Sequence, residues 1–283
     1  MSRVSVVVPA YRNAEHVGAT LDSILAQTYD DFDVVVADHG SDDGTWDVLQ
    51  RYADDPRVTL RRTPAGGGAR RNWDAVSQAA DGELLKLVCG DDLLHPRALE
   101  RQVAALDAAG PGATVVACRR DLVDARGEVF LRGRGLAGMR GRVDGRRALR
   151  TAVRSGGNPL GEPACVLLRR DALASAGWWD DSQPYYIDLG TYAHLLLRGD
   201  LVAVDETLAS FRVSASQWSV RLAAEQHAQA RAFNARMHAL APEAVRDVDV
   251  RVGDLRAGVA ALQRRVAYAV LGRRMTARPA AAG

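Results

Sequence analysis

The feature that most constrains the fold of this chain is an alternation of two kinds of segment. Short β-branched or apolar runs, Arg3 to Val8, Asp33 to Ala37, Arg57 to Arg61 and Leu84 to Val88, are each followed by a polar or glycine-bearing loop. Helical spacing then takes over. Glu15 to Gln27 carries Val17, Leu21, Ile24 and Leu25 on one face, and Trp46 to Tyr52 and the stretch after Gly66-Gly67-Gly68 to about Ala80 repeat the pattern. Pro96 to Ala109 reads as a further helix with proline in its first turn, and Thr114 to Cys118 as a fifth strand. Parallel strands need a crossover, and the crossover is right-handed, so this order predicts a parallel sheet wrapped by helices.

Beyond residue 120 the pattern changes. Asp121 to Leu131 reads as a hairpin around Ala125-Arg126-Gly127-Glu128, and Arg132 to Arg142 as a mobile loop. A helix follows from Asp144 to Arg154, then a loop from Gly156 to Pro163 and a buried strand from Ala164 to Leu168. Asp188 starts a helix to Arg198, Val202-Ala203-Val204 and Leu208 to Arg212 are short strands, and Ser216 to Leu271 is helical with a break near Pro242. The expected division is 1–120, 121–215, a helical extension over 216–275 and a frayed tail over 276–283.

A chain of 283 residues with 47% hydrophobic content supports a sizeable core, and a net charge of +2 gives no reason to expect a nucleic-acid partner. Cys89, Cys118 and Cys165 are odd in number and widely spaced, which supports neither a disulfide framework nor a zinc site. The sequence enters its first strand without a signal-peptide pattern, so a soluble, cytoplasmic protein is expected.

The run Leu84 to Val88 ends in Cys89-Gly90-Asp91-Asp92. Open α/β sheets bind ligands outside the carboxyl ends of their strands, and carboxylate oxygens suit Mg²⁺ or Mn²⁺, which in turn suits a diphosphate. Asp91 and Asp92 are therefore candidate metal ligands. The plainer alternative is a turn residue or a cap for the helix near Pro96.

Three loops stand in chain order at the ends of early strands: Val8-Pro9-Ala10-Tyr11-Arg12-Asn13, Asp38 to Thr45, and Cys89 to Asp92. Together with Glu15, the Asp38-x-Gly-Ser-x-Asp-Gly-Thr spacing, Arg71-Asn72 and Pro96, they resemble the inverting GT-A glycosyltransferases of the family 2 type. The resemblance implies a Rossmann-like, doubly wound, mostly parallel sheet with helices on both faces and a C-terminal helical extension. It implies transfer of a sugar from a nucleotide-diphospho-sugar, a UDP- or dTDP-sugar foremost, to an acceptor hydroxyl with Mg²⁺ or Mn²⁺. Residue by residue, it implies that Pro9, Ala10 and Tyr11 line the nucleotide, Asp38 accepts from the base, Arg71 sits by base or diphosphate, and Asp91 holds the metal. The plainer alternatives are turn residues at Asp38 and Asp43, surface packing at Tyr11 and a solvated helix charge at Arg71.

For the catalytic base the resemblance points to Asp188, after the turn Gly177-Trp178-Trp179-Asp180; the alternative is a helix cap. Trp178, Trp179, Tyr185 and Tyr186 are candidates for stacking on sugar or acceptor, with core packing as the alternative. Glu162, in the constrained Asn158 to Pro163 loop, could accept sugar hydroxyls. The sequence departs from the family pattern at Cys89, where an Asp is common, at His39, and at Ser214, where a metal-binding His is frequent; Arg212 is the candidate to reach the diphosphate instead. Acceptors of the family include glycans, lipid-linked glycans and small natural products. Leu255, Val259, Leu262, Val266 and Ala269 share one helix face, which predicts packing on the catalytic domain or a homodimer partner, with contact to an anionic membrane surface as the alternative. Two other functions remain open at this point: a sugar nucleotidyltransferase, and a non-catalytic nucleotide-binding relative.

Overall fold

The computed structural model describes residues 2–214, 222 and 224–275. Trp218, the first residues of the expected helical extension and the 276–283 tail lie outside the described residues.

The first half follows the expected alternation: β1 (Val4–Ala10), α1 (Val17–Leu25), β2 (Phe32–Asp38), α2 (Thr45–Leu49), β3 (Val58–Arg62), α3 (Gly68–Gln78), β4 (Leu84–Leu87), a short β5 (Leu93–Leu94), α4 (Ala98–Ala109) and β6 (Ala113–Val123). Then come β7 (Val129–Arg134), β8 (Gly141–Val143), α5 (Gly145–Ser155), β9 (Val166–Arg169), α6 (Arg170–Ser175), α7 (Ile187–Leu196) and β10 (Asp200–Arg212). Two helices, α8 (Gln226–Leu240) and α9 (Asp247–Leu271), follow. One sheet runs in the order β3-β2-β1-β4-β9-β6-β10-β5, with β7 added to β6 and β8 to β10.

The pairs β1–β2, β1–β4 and β2–β3 are parallel, and so is β6–β10. Strand β9 runs antiparallel between β4 and β6. It brings the Asn158 to Pro163 loop into the middle of the sheet, beside the end of β4. Every residue of β1 is buried, as expected of a central strand covered on both faces.

Three details differ from the sequence-based expectation. The two short strands expected near 202–212 are one strand, β10, which absorbs Asp205 and Glu206 as an irregularity between Val204 and Thr207 in its pairing with β6. The stretch expected to be a loop over 132–142 ends β7 and then forms β8 on β10, with Leu136 fully buried between them. The apolar face of α9 points away from the protein, and the small residues Gly253, Ala257 and Ala261 make its inner face. A Cβ on Gly253 would stand 2.3 Å from the Val153 carbonyl of α5, so only glycine permits this helix crossing. Asp249, fully buried, accepts from Arg154 and forms an ion pair with Arg150, both of α5, and fixes the same contact. Among the described residues no helix is long and apolar enough to cross a membrane.

Lys86, the only lysine of the chain, is fully buried in β4. Its Nζ donates to Gln102 Oε1 and to the Ala164 carbonyl, both at 2.7 Å, which ties β4 to α4 and to the turn before β9. Burial lowers its pKa to about 8. An amine-reactive ester should therefore label the native chain at its α-amino group alone, Lys86 becoming reactive only as the protein unfolds. Peptide mapping after labelling checks this, and prompt modification of Lys86 in the folded protein would contradict the packing.

Candidate active site

The carboxyl ends of β1 and β4, the start of α3, the loop before β9 and the start of α7 surround one cavity of about 610 Å³. Its position outside the strand ends follows from the parallel topology.

The wall at β1 is held by the loop after β2. The Asn13 amide donates to Thr45 Oγ1 at 2.8 Å, the Ala14 amide to Asp43 Oδ2 at 3.1 Å, the Arg12 amide to Ser41 Oγ at 2.9 Å, and Arg12 pairs with Asp42 at 2.7 Å. The polar loop from Ser41 to Thr45 thus acts as a brace for Tyr11 to Ala14. Tyr11 is 43% exposed and lines the cavity beside Pro9. Ala10 and Asp38 stand behind that wall: Asp38 is fully buried and accepts from the Ser41 amide and Arg62 Nε, each at 3.2 Å. His39, next in sequence, does line the cavity, with Nε2 donating to the Gly66 carbonyl at 2.7 Å.

On α3 the residue that faces the cavity is Asn72, and Arg71 lies outside the lining with its guanidinium turned to the Gly66 carbonyl at 3.4 Å. Asn72 is nearly buried, donates to the Ala10 carbonyl at 3.2 Å, and among the described residues leaves Oδ1 without a partner. A buried unpartnered acceptor on a cavity wall is suited to a ligand donor.

At the end of β4, a Cβ on Gly90 would stand 2.7 Å from Asn13 Oδ1, so glycine lets the two loops close on each other. Asp91 is half-buried on the cavity wall. Asp92 is fully buried; its Oδ1 accepts the Arg212 amide at 3.1 Å and its Oδ2 has no partner among the described residues. Burial, then the neighbouring charge of Asp91, pushes its carboxyl well above the usual range. Arg212 does not line the cavity. It is buried behind this loop, donating to the carbonyls of Asp91, Asp124 and Ala125, which corrects the expectation that it reaches a diphosphate. A guanidinium so far from solvent is held by the carbonyls that the loop turns inward.

Asp188 lies in the first turn of α7 and is 9% exposed. Its Oδ2 accepts from Asn158 Nδ2 at 2.7 Å and its Oδ1 from the Leu189 amide at 2.6 Å. Burial, reinforced by Glu162 and opposed by those two hydrogen bonds, pushes its pKa up to about 7. Glu162 lines the cavity in an ion pair with Arg120 of β6. The helix that presents Asp188 is itself anchored: Asp180, just upstream, accepts from His194 and Arg236.

Tyr185 and Tyr186 line the cavity, whereas Trp178 and Trp179 do not. Trp179 is 1% exposed, stacked edge-on against Trp73 at 4.9 Å, with Nε1 donating to Ser77 Oγ at 2.9 Å. The stacking role expected of both tryptophans is corrected accordingly; the indole of Trp179 is core because its one polar group finds a buried partner. Tyr185 and Tyr186 stand on the wall as candidates for stacking, and Asn72 and Asn158 are wall residues to which sequence reasoning gave no role.

Cys89 shows how closely the acidic groups converge. Its thiol is pushed up by burial and then by the charges of Asp92, Asp91, Asp188 and Glu162. Arg120 pairs with Glu162 from behind the wall and Arg12, on the wall, is paired with Asp42, so the convergent carboxylates leave the cavity favouring a cation. Among the described residues no three His, Cys, Asp or Glu side chains form a protein-only metal cage. The donor set fits a hard divalent ion held by Asp91, with Asp92 behind it and the remaining coordination supplied by water and ligand oxygens, the usual arrangement for Mg²⁺.

A family model described as glycosyl transferase family 2 matches residues 5–176. An uncharacterized Mycobacterium tuberculosis protein, MT1568, is 28% identical over 78% of this chain and 70% of its own length. A Pasteurella multocida chondroitin synthase is 38% identical over 34% of this chain, which spans 10% of that enzyme. Among solved structures, Staphylococcus aureus TarS with UDP-GlcNAc superimposes at a TM-score of 0.67 and 16% identity, over 83% of this chain and 66% of that one. The Pyrobaculum calidifontis mannosyltransferase PcManGT with GDP-Man and Mn²⁺ superimposes at 0.61 and 19% identity, over 96% and 76%. At such identities the structural likeness is one of fold.

Proposed function

This chain belongs to glycosyl transferase family 2, and from that premise we propose that it transfers a sugar from a nucleotide-diphospho-sugar to an acceptor hydroxyl with inversion at the anomeric carbon. The observation that carries the reading is that Asp91 and Asp188 line the same cavity, the second poised near neutral pH. The donor half is assigned to residues 1–120 and the acceptor half to 121–215, because the cavity is shared between loops of both.

In this reading Pro9, Tyr11, His39 and Asn72 receive the nucleoside, with Asn72 Oδ1 as an acceptor for a donor group on it. Asp38, Ala10 and Arg71 support that wall from behind or from its edge. Asp91 would hold a divalent cation, which when bound neutralises charge on the leaving diphosphate. Asp188 takes the acceptor proton as the acceptor oxygen bonds to the anomeric carbon and the bond to the diphosphate breaks. Asn158 and the Leu189 amide orient the carboxylate and keep part of it ionised, while Glu162, fixed by Arg120, borders the sugar. Tyr185 and Tyr186 supply flat apolar surface for the sugar or acceptor.

The test is a panel of UDP-, dTDP- and GDP-sugars with Mn²⁺ or Mg²⁺, read as release of nucleoside diphosphate and as thermal shift. Turnover with one donor class and a metal requirement are expected. A thermal shift with nucleotide but no turnover of any donor would instead favour a non-catalytic binding protein.

A further inference from the structure

Among the described residues the outer face of α9 has no partner. Leu255, Val259, Leu262, Val266 and Val270 are exposed by 72, 51, 63, 56 and 80%. At 100° per residue they fall within a sector of roughly 80°, so they form one continuous apolar stripe. Its nearest flanking charges are the exposed Arg251, Arg256 and Arg265. Of the three acidic side chains of the helix, Asp249 is engaged with Arg150 and Arg154 and Asp254 with Asn234, while Asp247, in the first turn, is exposed beside His238. An apolar strip with a cationic rim results.

The same helix reaches the rim of the cavity. Arg264 lies over the ring of Tyr185, a wall residue, at 5.7 Å. Beyond the helix the Arg274 carbonyl accepts from the Ala125 amide at 3.1 Å, next to the carbonyls that hold Arg212 behind Asp91. The stripe therefore lies on the opposite side of α9 from the cavity rim.

We propose that this stripe docks the protein on an anionic lipid bilayer, with the valine and leucine side chains at the acyl boundary and the arginines among the headgroups. Charge decides between the two occupants that an apolar helix face admits. In a parallel pairing with a second copy, Arg251 would face Arg256 of that copy across the seam, a like-charge contact. An anionic surface complements all three arginines at once. The proposal deepens the transferase reading, on which its consequence rests: an acceptor hydroxyl carried on a lipid would meet the cavity at the bilayer surface.

The experiment is co-sedimentation of the full chain with phosphatidylcholine vesicles, with and without 30% phosphatidylglycerol, beside sedimentation velocity without lipid. Binding to the anionic vesicles at least tenfold above the neutral ones is expected, weakened by salt and reduced at least tenfold by Leu255→Gln with Leu262→Gln and by Arg251→Glu with Arg265→Glu. These exposed substitutions should leave the melting temperature and the nucleotide thermal shift unchanged. No preference for anionic vesicles overturns the proposal, as does a lipid-free dimer that the Leu255→Gln, Leu262→Gln variant dissociates, since a second copy would then cover the stripe. Loss of vesicle binding with the nucleotide shift intact rejects docking alone. Absence of the shift with docking intact rejects the transferase reading alone.

Discussion

Asp188→Asn is expected to lower the turnover number by about 10²–10⁴-fold while donor binding stays close to that of the parent protein, the range associated with loss of a positioned general base. The amide keeps the shape of the carboxylate, and its single oxygen can still accept from Asn158 while the hydrogen bond from the Leu189 amide is given up. What it loses is the capacity to take a proton. The pH profile is the companion observation. With its pKa pushed up to about 7 by burial, Asp188 is mostly protonated at pH 6 and mostly ionised at pH 8. Transfer by the parent should rise about tenfold per pH unit below 7 and level off above it, and the residual activity of the variant should lack that limb.

The same shift predicts a change in stability of opposite sign. A carboxyl that titrates near 4 in the unfolded chain and near 7 in the fold binds a proton more tightly when folded. Its stabilising contribution is complete below pH 4 and lost as pH rises through 7. Three pKa units correspond to at most about 4 kcal/mol. Asp188→Asn should therefore melt several degrees above the parent at pH 8, and the gap should close at pH 5. A variant that is inactive yet no more stable at pH 8 would mean that the carboxylate is better solvated than its burial indicates. Retention of full activity would remove Asp188 from the chemistry.

Asp91→Asn is the second large effect. It should raise the apparent dissociation constant for Mn²⁺ and donor together by at least about 10²-fold, since even outer-shell residues of a metal site cost 10–100-fold when lost. Isothermal titration of the nucleotide with and without Mn²⁺ provides the measurement. In the parent the ion should strengthen nucleotide binding, and in the variant that coupling should disappear. Coupling of equal size in both proteins would place the ion elsewhere. Asp92→Asn should behave differently, because its carboxyl is fully buried and joined to the Arg212 amide. Its primary cost should be in stability.

How much of this was legible beforehand can be argued from particular residues. The alternation of apolar runs and helical spacing determines β1 to β4 and their helices, because a strand covered on both faces has few other compositions and a parallel neighbour requires a crossover. Asp91 and Glu162 were marked by the composition of their loops, Pro9, Tyr11 and Asp188 by the family resemblance, and all of them line the cavity. Asn72 was quoted in the Arg71-Asn72 pair, but helix periodicity does not say which of two adjacent polar residues turns inward. Arg212 misled for a related reason. An arginine near a diphosphate-binding loop has two possible customers, the ligand and the loop's own carbonyls, and only packing chooses between them.

Trp178 and Trp179 show the same limit. Their place before α7 was visible, yet the edge-on contact with Trp73 that buries Trp179 joins α3 to a segment about a hundred residues away. The sequence by itself determined the layered α/β architecture and the carboxylates at its strand ends, since those rest on local periodicity and on the few conformations open to a buried strand. Tertiary structure alone decided which carboxylates share a cavity, which are braced away from it, and that the apolar face of α9 turns outward. Those outcomes depend on contacts between segments far apart in the chain, which no local pattern encodes.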